Sequence, residues 1–167
     1  MRLPYSVQVF LYRMANNQPL YLLFHRRARP ELGLPDFWQG VSGALEASES
    51  FSDAARREVA EETGFELKSV SDTGFQHAYP IRPDWRKHYS PGPTEVTERI
   101  FVAQLSASSE PTLSSEHESW RWCSALEAKS LLTFGGNAQC LDACERHFNQ
   151  KPNNSLKSDA ANPRTLG

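Results

Sequence analysis

The chain has 167 residues and a net charge of −2, and 39% of its residues are hydrophobic. This length and composition predict one globular domain that buries its own core. The basic residues are scattered, which argues against a partner such as a long nucleic acid held through its phosphates. The apolar stretches fall short of the roughly 18 residues that cross a membrane as a helix. Small anionic ligands remain compatible with this charge, and the oligomeric state stays open.

The first residues do not resemble a signal peptide, because Gln8 and Arg13 interrupt what would be its apolar core. The three cysteines, Cys123, Cys140 and Cys144, are an odd number without CxxC spacing. This argues against a disulfide framework and against a structural zinc site. We therefore expect a protein of the reducing cytoplasm.

The first predicted elements form a hairpin. Residues Tyr5–Met14 and Leu20–His25 have the composition of strands, and the Asn- and Pro-containing segment between them predicts a turn. The segment Arg26–Gln39 contains two prolines and a glycine, which favours a loop. This loop should deliver Phe37-Trp38 and a short strand that ends near Gly43.

A helix follows with clear signals at both ends. Ser50 is a favourable N-cap, Ala54–Glu62 are good helix formers, and Gly64 is placed to end the helix.

The second half of the chain mixes strands and helices around a long polar loop. The predicted elements are strands at Phe65–Phe75, Val96–Leu105 and Ser119–Cys123, a loop at Gln76–Glu95, a short helix with a capping box at Ser124, and a helix from Asn137 to Phe148. The residues that follow, 149–167, contain almost no apolar side chains and predict a disordered C-terminal tail.

The central helix carries a cluster of acidic residues. Glu58, Glu61 and Glu62 stand at i, i+3 and i+4, which places three carboxylates on one helix face. A solvated helix face is the ordinary interpretation of such a pattern. Like charges this close repel each other, however, and an all-oxygen set suits a hard cation such as Mg²⁺ or Mn²⁺. Because Mg²⁺ often takes further ligands from phosphates, the cluster favours a small phosphorylated substrate.

The segment from Gly43 to Phe65 matches the Nudix box, Gly-x5-Glu-x7-Arg-Glu-(aliphatic)-x-Glu-Glu-x-Gly-(apolar), at every specified position. The chain therefore resembles the Nudix hydrolase family. The resemblance implies an α/β fold, an α/β/α sandwich with a central mixed sheet, formed by residues 1–148. It also implies hydrolysis of a diphosphate linkage with Mg²⁺ as cofactor, for which Mn²⁺ can substitute.

The same resemblance assigns roles within the box. Glu58, Glu61 and Glu62 would be metal ligands, and Glu58 or a neighbouring carboxylate would activate water. The catalytic set would comprise Glu58, Glu61, Arg57 and Glu49, the last two orienting the ligands. Gly43 would make a turn that brings the carbonyl of the preceding residue to the metal.

Outside the box, several segments resemble bacterial dihydroneopterin triphosphate pyrophosphatases. These segments are Asp36–Gly43, His88–Gly92, Thr97-Glu98, Ser115-Glu116-His117 and Trp122. The resemblance implies that Glu116 is a further metal ligand. It also places Arg2, Ser42, Tyr79, Arg82 and Gly135 around the substrate. Arg26, which follows the second strand, could hold a phosphate by bidentate hydrogen bonds. On residue type alone, Glu116 and Arg26 would be solvated surface charges.

The box does not specify the substrate. A housecleaning nucleoside triphosphate pyrophosphatase and a dinucleoside polyphosphate hydrolase are alternatives within the enzyme class. A Nudix fold that binds a metabolite without catalysis is the alternative from another class. The presence of Glu58, Glu61 and Glu62 together favours an enzyme.

Overall fold

The sheet is built outward from a hairpin, in a computed structural model that describes residues 1–150. Strands β1 (Tyr5–Ala15) and β2 (Gln18–Arg26) pair in antiparallel register. Asn16 and Asn17 connect them with φ angles of 52° and 64°, a conformation that Asn tolerates better than most residues. The predicted hairpin is confirmed.

Five further strands complete the sheet. They are β3 (Phe37–Gln39), β4 (Val41–Ala44), β5 (Ser71–Pro80), β6 (Glu95–Gln104) and β7 (His117–Cys123). The order is β3-β2-β1-β6-β5, with β4 paired to β1 and β7 paired to β2. The β1–β6 pair is parallel and the other pairs are antiparallel. The sheet is therefore mixed, as expected.

The predicted short strand near Gly43 is β4, and Phe37-Trp38 belong to the separate strand β3, because the chain changes partner at Gly40. Strand β3 pairs with β2, whereas β4 pairs with β1. A Cβ atom on Gly40 would lie 2.6 Å from the carbonyl oxygen of Val9. The close approach of the two backbones requires glycine at this crossing.

Helices cover both faces of the sheet. Helix α1 (Phe51–Thr63) packs on one face through a core that includes Val7, Val9 and Val59. Helices α2 (Ala125–Leu131) and α3 (residues 137–150) cover the other face, whose core includes Phe10 and Ile100. Because side chains alternate along β1 and β6, neighbouring residues belong to different cores. This arrangement is the expected α/β/α sandwich.

The predicted strand at Phe65–Phe75 was misplaced. The strand is β5, ten residues from Ser71 to Pro80, and the long loop starts at Ile81 rather than Gln76. The apolar residues Phe65, Leu67 and Val70 pack against the α1 core, and they do not belong to a strand. Burial without strand pairing produced the same composition as a strand.

Two boundaries in the C-terminal part also move. Strand β7 starts at His117, two residues before the predicted position. Helix α3 continues through residue 150, so the predicted tail begins inside it by two residues. The remainder of that tail, 151–167, lies outside the described residues. Within residues 1–150, no helix is long and apolar enough to span a membrane.

The N-cap of α1 provides a test of how this helix is held. The hydroxyl of Ser50 accepts a 3.1 Å hydrogen bond from the amide of Asp53. We predict that Ser50→Ala lowers the free energy of unfolding by about 1 kcal/mol, measured by urea denaturation. Ser52→Ala, at an exposed position in the first turn, should change it by less than about 0.5 kcal/mol. Equal effects of the two variants would show that Ser50 does not act as a cap.

Candidate active site

Packing against the sheet fixes which way the acidic side chains of α1 point. Ala54, Ala55 and Val59 are fully buried beneath the helix. Glu58 is also buried, at 9% exposure, whereas Glu61 reaches solvent. One carboxylate of the box is thus held against the sheet and another stands at the surface.

Gly43 determines how closely Glu58 can approach the sheet. A Cβ atom on Gly43 would lie 2.0 Å from the carboxyl carbon of Glu58, a distance that no side chain can adopt. The predicted turn at Gly43 was wrong: this residue lies inside β4, and its φ angle is not positive. The box requires glycine here because the Glu58 carboxyl occupies the space of a side chain.

Arg57 joins the acidic side chains to the backbone. Its Nε and Nη2 donate to the two oxygens of Glu49 at 2.7 and 2.9 Å, and Nη2 also donates to the carbonyl of Ala44 at 2.9 Å. Its Nη1 donates to Glu58 at 2.8 Å and to Glu61 at 3.2 Å. One guanidinium therefore connects the end of β4, the loop before α1, and two carboxylates of the helix.

These contacts give the carboxylates of Glu58 and Glu49 different proton affinities. Burial raises the pKa of Glu58 to about 7, although the guanidinium of Arg57 opposes this rise. The hydrogen bonds from Arg57 hold the pKa of Glu49 below its usual value. Glu49 is thus a fixed anion, whereas Glu58 needs a further positive charge to remain ionised near neutral pH.

Glu62 faces a different set of partners. Ser114 donates a short hydrogen bond to it, and Nδ1 of His117 lies 3.3 Å from the same carboxylate. Gln39 donates to Nε2 of His117 at 3.2 Å, which leaves the ring proton on Nδ1, facing Glu62. Burial alone would raise the pKa of Glu62, but His117 and Ser114 together hold it below its usual value. His117 was not predicted as part of the site.

A cavity of about 1240 Å³ opens beside α1 and β4. Glu58, Glu61 and Glu116 line it, together with all six predicted substrate residues: Arg2, Arg26, Ser42, Tyr79, Arg82 and Gly135. Glu62 is not among the lining residues, so its role as a ligand stays a prediction. Arg26 lies 3.4 Å from Glu116, which brings a strand end and a distant loop to the same wall.

Arg29 is a cationic residue of the cavity that the sequence analysis missed. The Nε atoms of Arg29 and Arg26 are both buried without a hydrogen-bond partner in the described part of the chain. Burial, with the nearby charge of Arg26, lowers the pKa of Arg29. Two adjacent cations with unused donors favour an anionic ligand such as a phosphate. The basic run after β2, Arg26-Arg27-Ala28-Arg29, was the available signal.

A second group that was mostly missed lies on the face opposite α1. We call it the polar floor: Gln8, Ser42, His77, Glu98 and Asn137, all lining the cavity. Of these, only Ser42 was predicted as a site residue. Gln8 and Glu98 are 2% and 4% exposed. A polar residue inside an otherwise apolar strand was the signal at Gln8.

Glu58, Glu61 and Glu116 form what we call the acidic wall of the cavity, and the chemistry of their donor atoms fits a divalent cation. The acidic wall offers carboxylate oxygens from Glu58, Glu61 and Glu116, and burial of Glu58 favours a neutralising charge. The carboxylates of α1 do not converge on one point. Among the described residues, the group with ligand atoms within 4.8 Å of one another is His77, Glu98 and Cys140. The oxygen set on α1 suits Mg²⁺ better than this mixed set does.

The site and the fold define a class of enzyme. The NUDIX domain family model matches residues 2–144, and the chain belongs to the Nudix hydrolase family. It is a hydrolase that acts on phosphorus-containing acid anhydrides. Members of this family generally use divalent metal ions.

Two of the matches are with an Escherichia coli enzyme that is named for its action on dihydroneopterin triphosphate. The chain is 30% identical over 143 residues to dihydroneopterin triphosphate diphosphatase of Escherichia coli K12, covering 83% of this chain and 90% of that protein. The solved structure of the E. coli dihydroneopterin triphosphate pyrophosphohydrolase matches with a TM-score of 0.69 and 29% identity, covering 84% and 94%.

A third match is partial. The chain is 34% identical over 110 residues to octanoyltransferase of Myxococcus xanthus, which is 66% of this chain but 28% of that protein. The chain therefore spans little more than a quarter of that relative.

Arg57 gives a direct test of the acidic wall. We predict that Arg57→Lys weakens divalent-cation affinity by about 10- to 100-fold, because an ammonium group cannot bridge Glu49, Glu58 and the Ala44 carbonyl together. Arg56→Lys is the matched control, since Arg56 contacts exposed Asp53 and the carbonyl of Lys68 and does not line the cavity. Calorimetric Mn²⁺ titration of both variants, with their melting temperatures, makes the measurement. Equal affinities would remove Arg57 from this role.

Proposed function

We propose that this chain is a Mg²⁺-dependent pyrophosphohydrolase that converts dihydroneopterin triphosphate and water into dihydroneopterin monophosphate and pyrophosphate, a step of folate synthesis. The observation that carries the proposal is one cavity that contains the acidic wall, several arginines and the polar floor. The likeness to the E. coli enzyme supports the choice of substrate.

The arginines would hold the triphosphate. Arg26 and Arg29 offer buried Nε donors without protein partners, and Arg2 and Arg82 border the same cavity. Guanidinium groups bind phosphate oxygens through paired hydrogen bonds. Their charge would also stabilise the negative charge that develops on these oxygens during hydrolysis.

The carboxylates would act on water and on the cation. Glu58, Glu61, Glu62 and Glu116 would hold Mg²⁺, which when bound neutralises phosphate charge and lowers the pKa of water. Glu58 would accept the proton of the attacking water. The water oxygen forms a bond to the α-phosphorus, the bond from that phosphorus to the bridging oxygen breaks, and pyrophosphate leaves. Arg57 and Glu49 would orient Glu58 and Glu61.

The compartment we propose is the reducing cytoplasm. Cys123, Cys140 and Cys144 are free and buried. Buried thiols that form no disulfide are typical of cytoplasmic proteins.

A substrate panel tests the proposed activity. Wild type and Glu58→Gln are assayed with Mg²⁺ on dihydroneopterin triphosphate, the four dNTPs, ADP-ribose and a dinucleoside tetraphosphate, with pyrophosphate and phosphate measured separately. Dihydroneopterin triphosphate should give the highest kcat/KM and release pyrophosphate.

Glu58→Gln should lose about 1000-fold in turnover while keeping its circular dichroism spectrum. Highest activity on a dNTP or on the dinucleotide would overturn the substrate, and more than about a tenth of wild-type turnover in the variant would overturn the role of Glu58.

Glu116 and Glu118 form a matched pair for testing the loop ligand. Glu116 lines the cavity near Arg26. Glu118 instead lies 3.0 Å from His25 and 3.5 Å from Arg27. We predict that Glu116→Gln raises the Mg²⁺ concentration for half-maximal activity by about 10-fold, and that Glu118→Gln leaves it unchanged. Identical Mg²⁺ titrations would leave Glu116 as a surface acid.

A further inference from the structure

The side chains of the polar floor form one connected network of hydrogen bonds. Nε2 of Gln8 donates to Glu98 Oε1 and to Asn137 Oδ1, each at 3.1 Å. His77 Nε2 donates to the same Glu98 oxygen at 2.8 Å. Ser42 donates to the other oxygen, Oε2, at 3.2 Å. Side chains from three strands, β1, β4 and β5, thus converge on one buried carboxylate of β6.

A backbone contact fixes the orientation of both amides. The amide N–H of Gly40 donates to Oε1 of Gln8 at 2.9 Å. The Gln8 nitrogen must therefore face Glu98 and Asn137, so Asn137 turns its oxygen toward Gln8. The Nδ2 group of Asn137 makes no hydrogen bond within the described part of the chain. It remains as a donor beside the cavity.

The acceptors on this floor are also incompletely used. Glu98 Oε1 already accepts two hydrogen bonds, but Oε2 accepts one, from Ser42. Oε2 can accept one more, and the Ser42 oxygen can accept another. The cavity thus faces two neighbouring acceptors and one donor. None of these three groups is among the fully buried unpaired atoms of the described residues, so each is either paired or open to the cavity.

We propose that the polar floor is the recognition site for a 2-amino-4-oxo-pyrimidine edge, the edge shared by pterins and guanine, with Glu98 as the residue that determines specificity. Such an edge presents a ring N–H and an amino group side by side, next to a carbonyl. The two donors match Glu98 Oε2 and Ser42, and the carbonyl matches Asn137 Nδ2. This assignment rests on the proposed triphosphate hydrolysis and names the head group that the same cavity selects.

Other bases fit this arrangement less well. Adenine and cytosine place a ring acceptor beside their amino group, and this acceptor would face the carboxylate of Glu98. Thymine offers one ring N–H between two carbonyls, so that one carbonyl would meet an acceptor. A buried acceptor that is left without a donor reduces binding strongly. The floor therefore selects by hydrogen bonding rather than by shape alone.

Strand β4 explains how one substrate reaches both groups. It pairs with β1 on one side and with no other strand among the described residues. Gly43 contacts Glu58 on the α1 face, while the neighbouring Ser42 contacts Glu98 on the opposite face. A ligand that passes over this edge can place its phosphates at the carboxylates and its ring on the polar floor.

The test compares selectivity in wild type, Glu98→Gln and Glu95→Gln. Glu95 lies on the same strand but is exposed and outside the cavity. For Glu98→Gln, kcat/KM on dGTP and dihydroneopterin triphosphate should fall by roughly 10- to 100-fold, whereas that on dATP, dCTP and dTTP changes by less than about 3-fold. Glu95→Gln should match wild type on every substrate. A parallel loss on all substrates in Glu98→Gln would assign Glu98 a structural role and overturn the proposal.

A measurement on the wild type keeps the proposal testable if the variant does not fold. The value of kcat/KM for dGTP should exceed that for dITP, which lacks the 2-amino group, by roughly 10-fold. Equal values would overturn the proposal while leaving triphosphate hydrolysis intact. A preference for dGTP without hydrolysis of dihydroneopterin triphosphate would instead overturn the proposed substrate and support the recognition site. No hydrolysis of any triphosphate would overturn both.

Discussion

The site depends on one guanidinium that holds negative charges close together. Several carboxylates on one short helix repel each other, and the repulsion has to be offset within the protein before any ligand binds. Arg57 does this while also bonding to the carbonyl of Ala44. The helix is thereby fixed to the end of β4, and Glu58 is pressed onto Gly43. The spacing of the box follows from these contacts.

The sheet edge at β4 gives the second constraint. Because successive residues of a strand point to opposite faces, Gly43 and Ser42 present two different surfaces to one cavity. The α1 face supplies carboxylates, and the other face supplies the polar floor. Gly40 makes this edge available, since it lets the chain leave β2 and pair with β1. Two chemical environments therefore lie a single residue apart along the chain.

The sequence predicted those features that depend on local chemistry. The ends of α1, the hairpin turn and the box residues follow from capping, turn propensity and spacing, and the class of enzyme followed from the box. The contacts of Glu98 with Gln8 and of Gln8 with Asn137 join residues 90 and 129 positions apart. Such contacts depend on strand register and on the docking of α3, which composition does not reveal. The position of β5 was predicted wrongly for a related reason. Phe65 and Leu67 pack against the core without belonging to a strand.

We infer that the carboxylates arranged by Arg57 form a divalent-cation site at the wall of the cavity. Anomalous diffraction from crystals soaked in Mn²⁺, with a non-hydrolysable triphosphate analogue, tests it most directly. We expect an anomalous peak for a Mn²⁺ ion that Glu58 and at least one of Glu61, Glu62 and Glu116 coordinate, in contact with phosphate oxygens. A peak at His77, Glu98 and Cys140 alone, or phosphates bound away from α1, would contradict it.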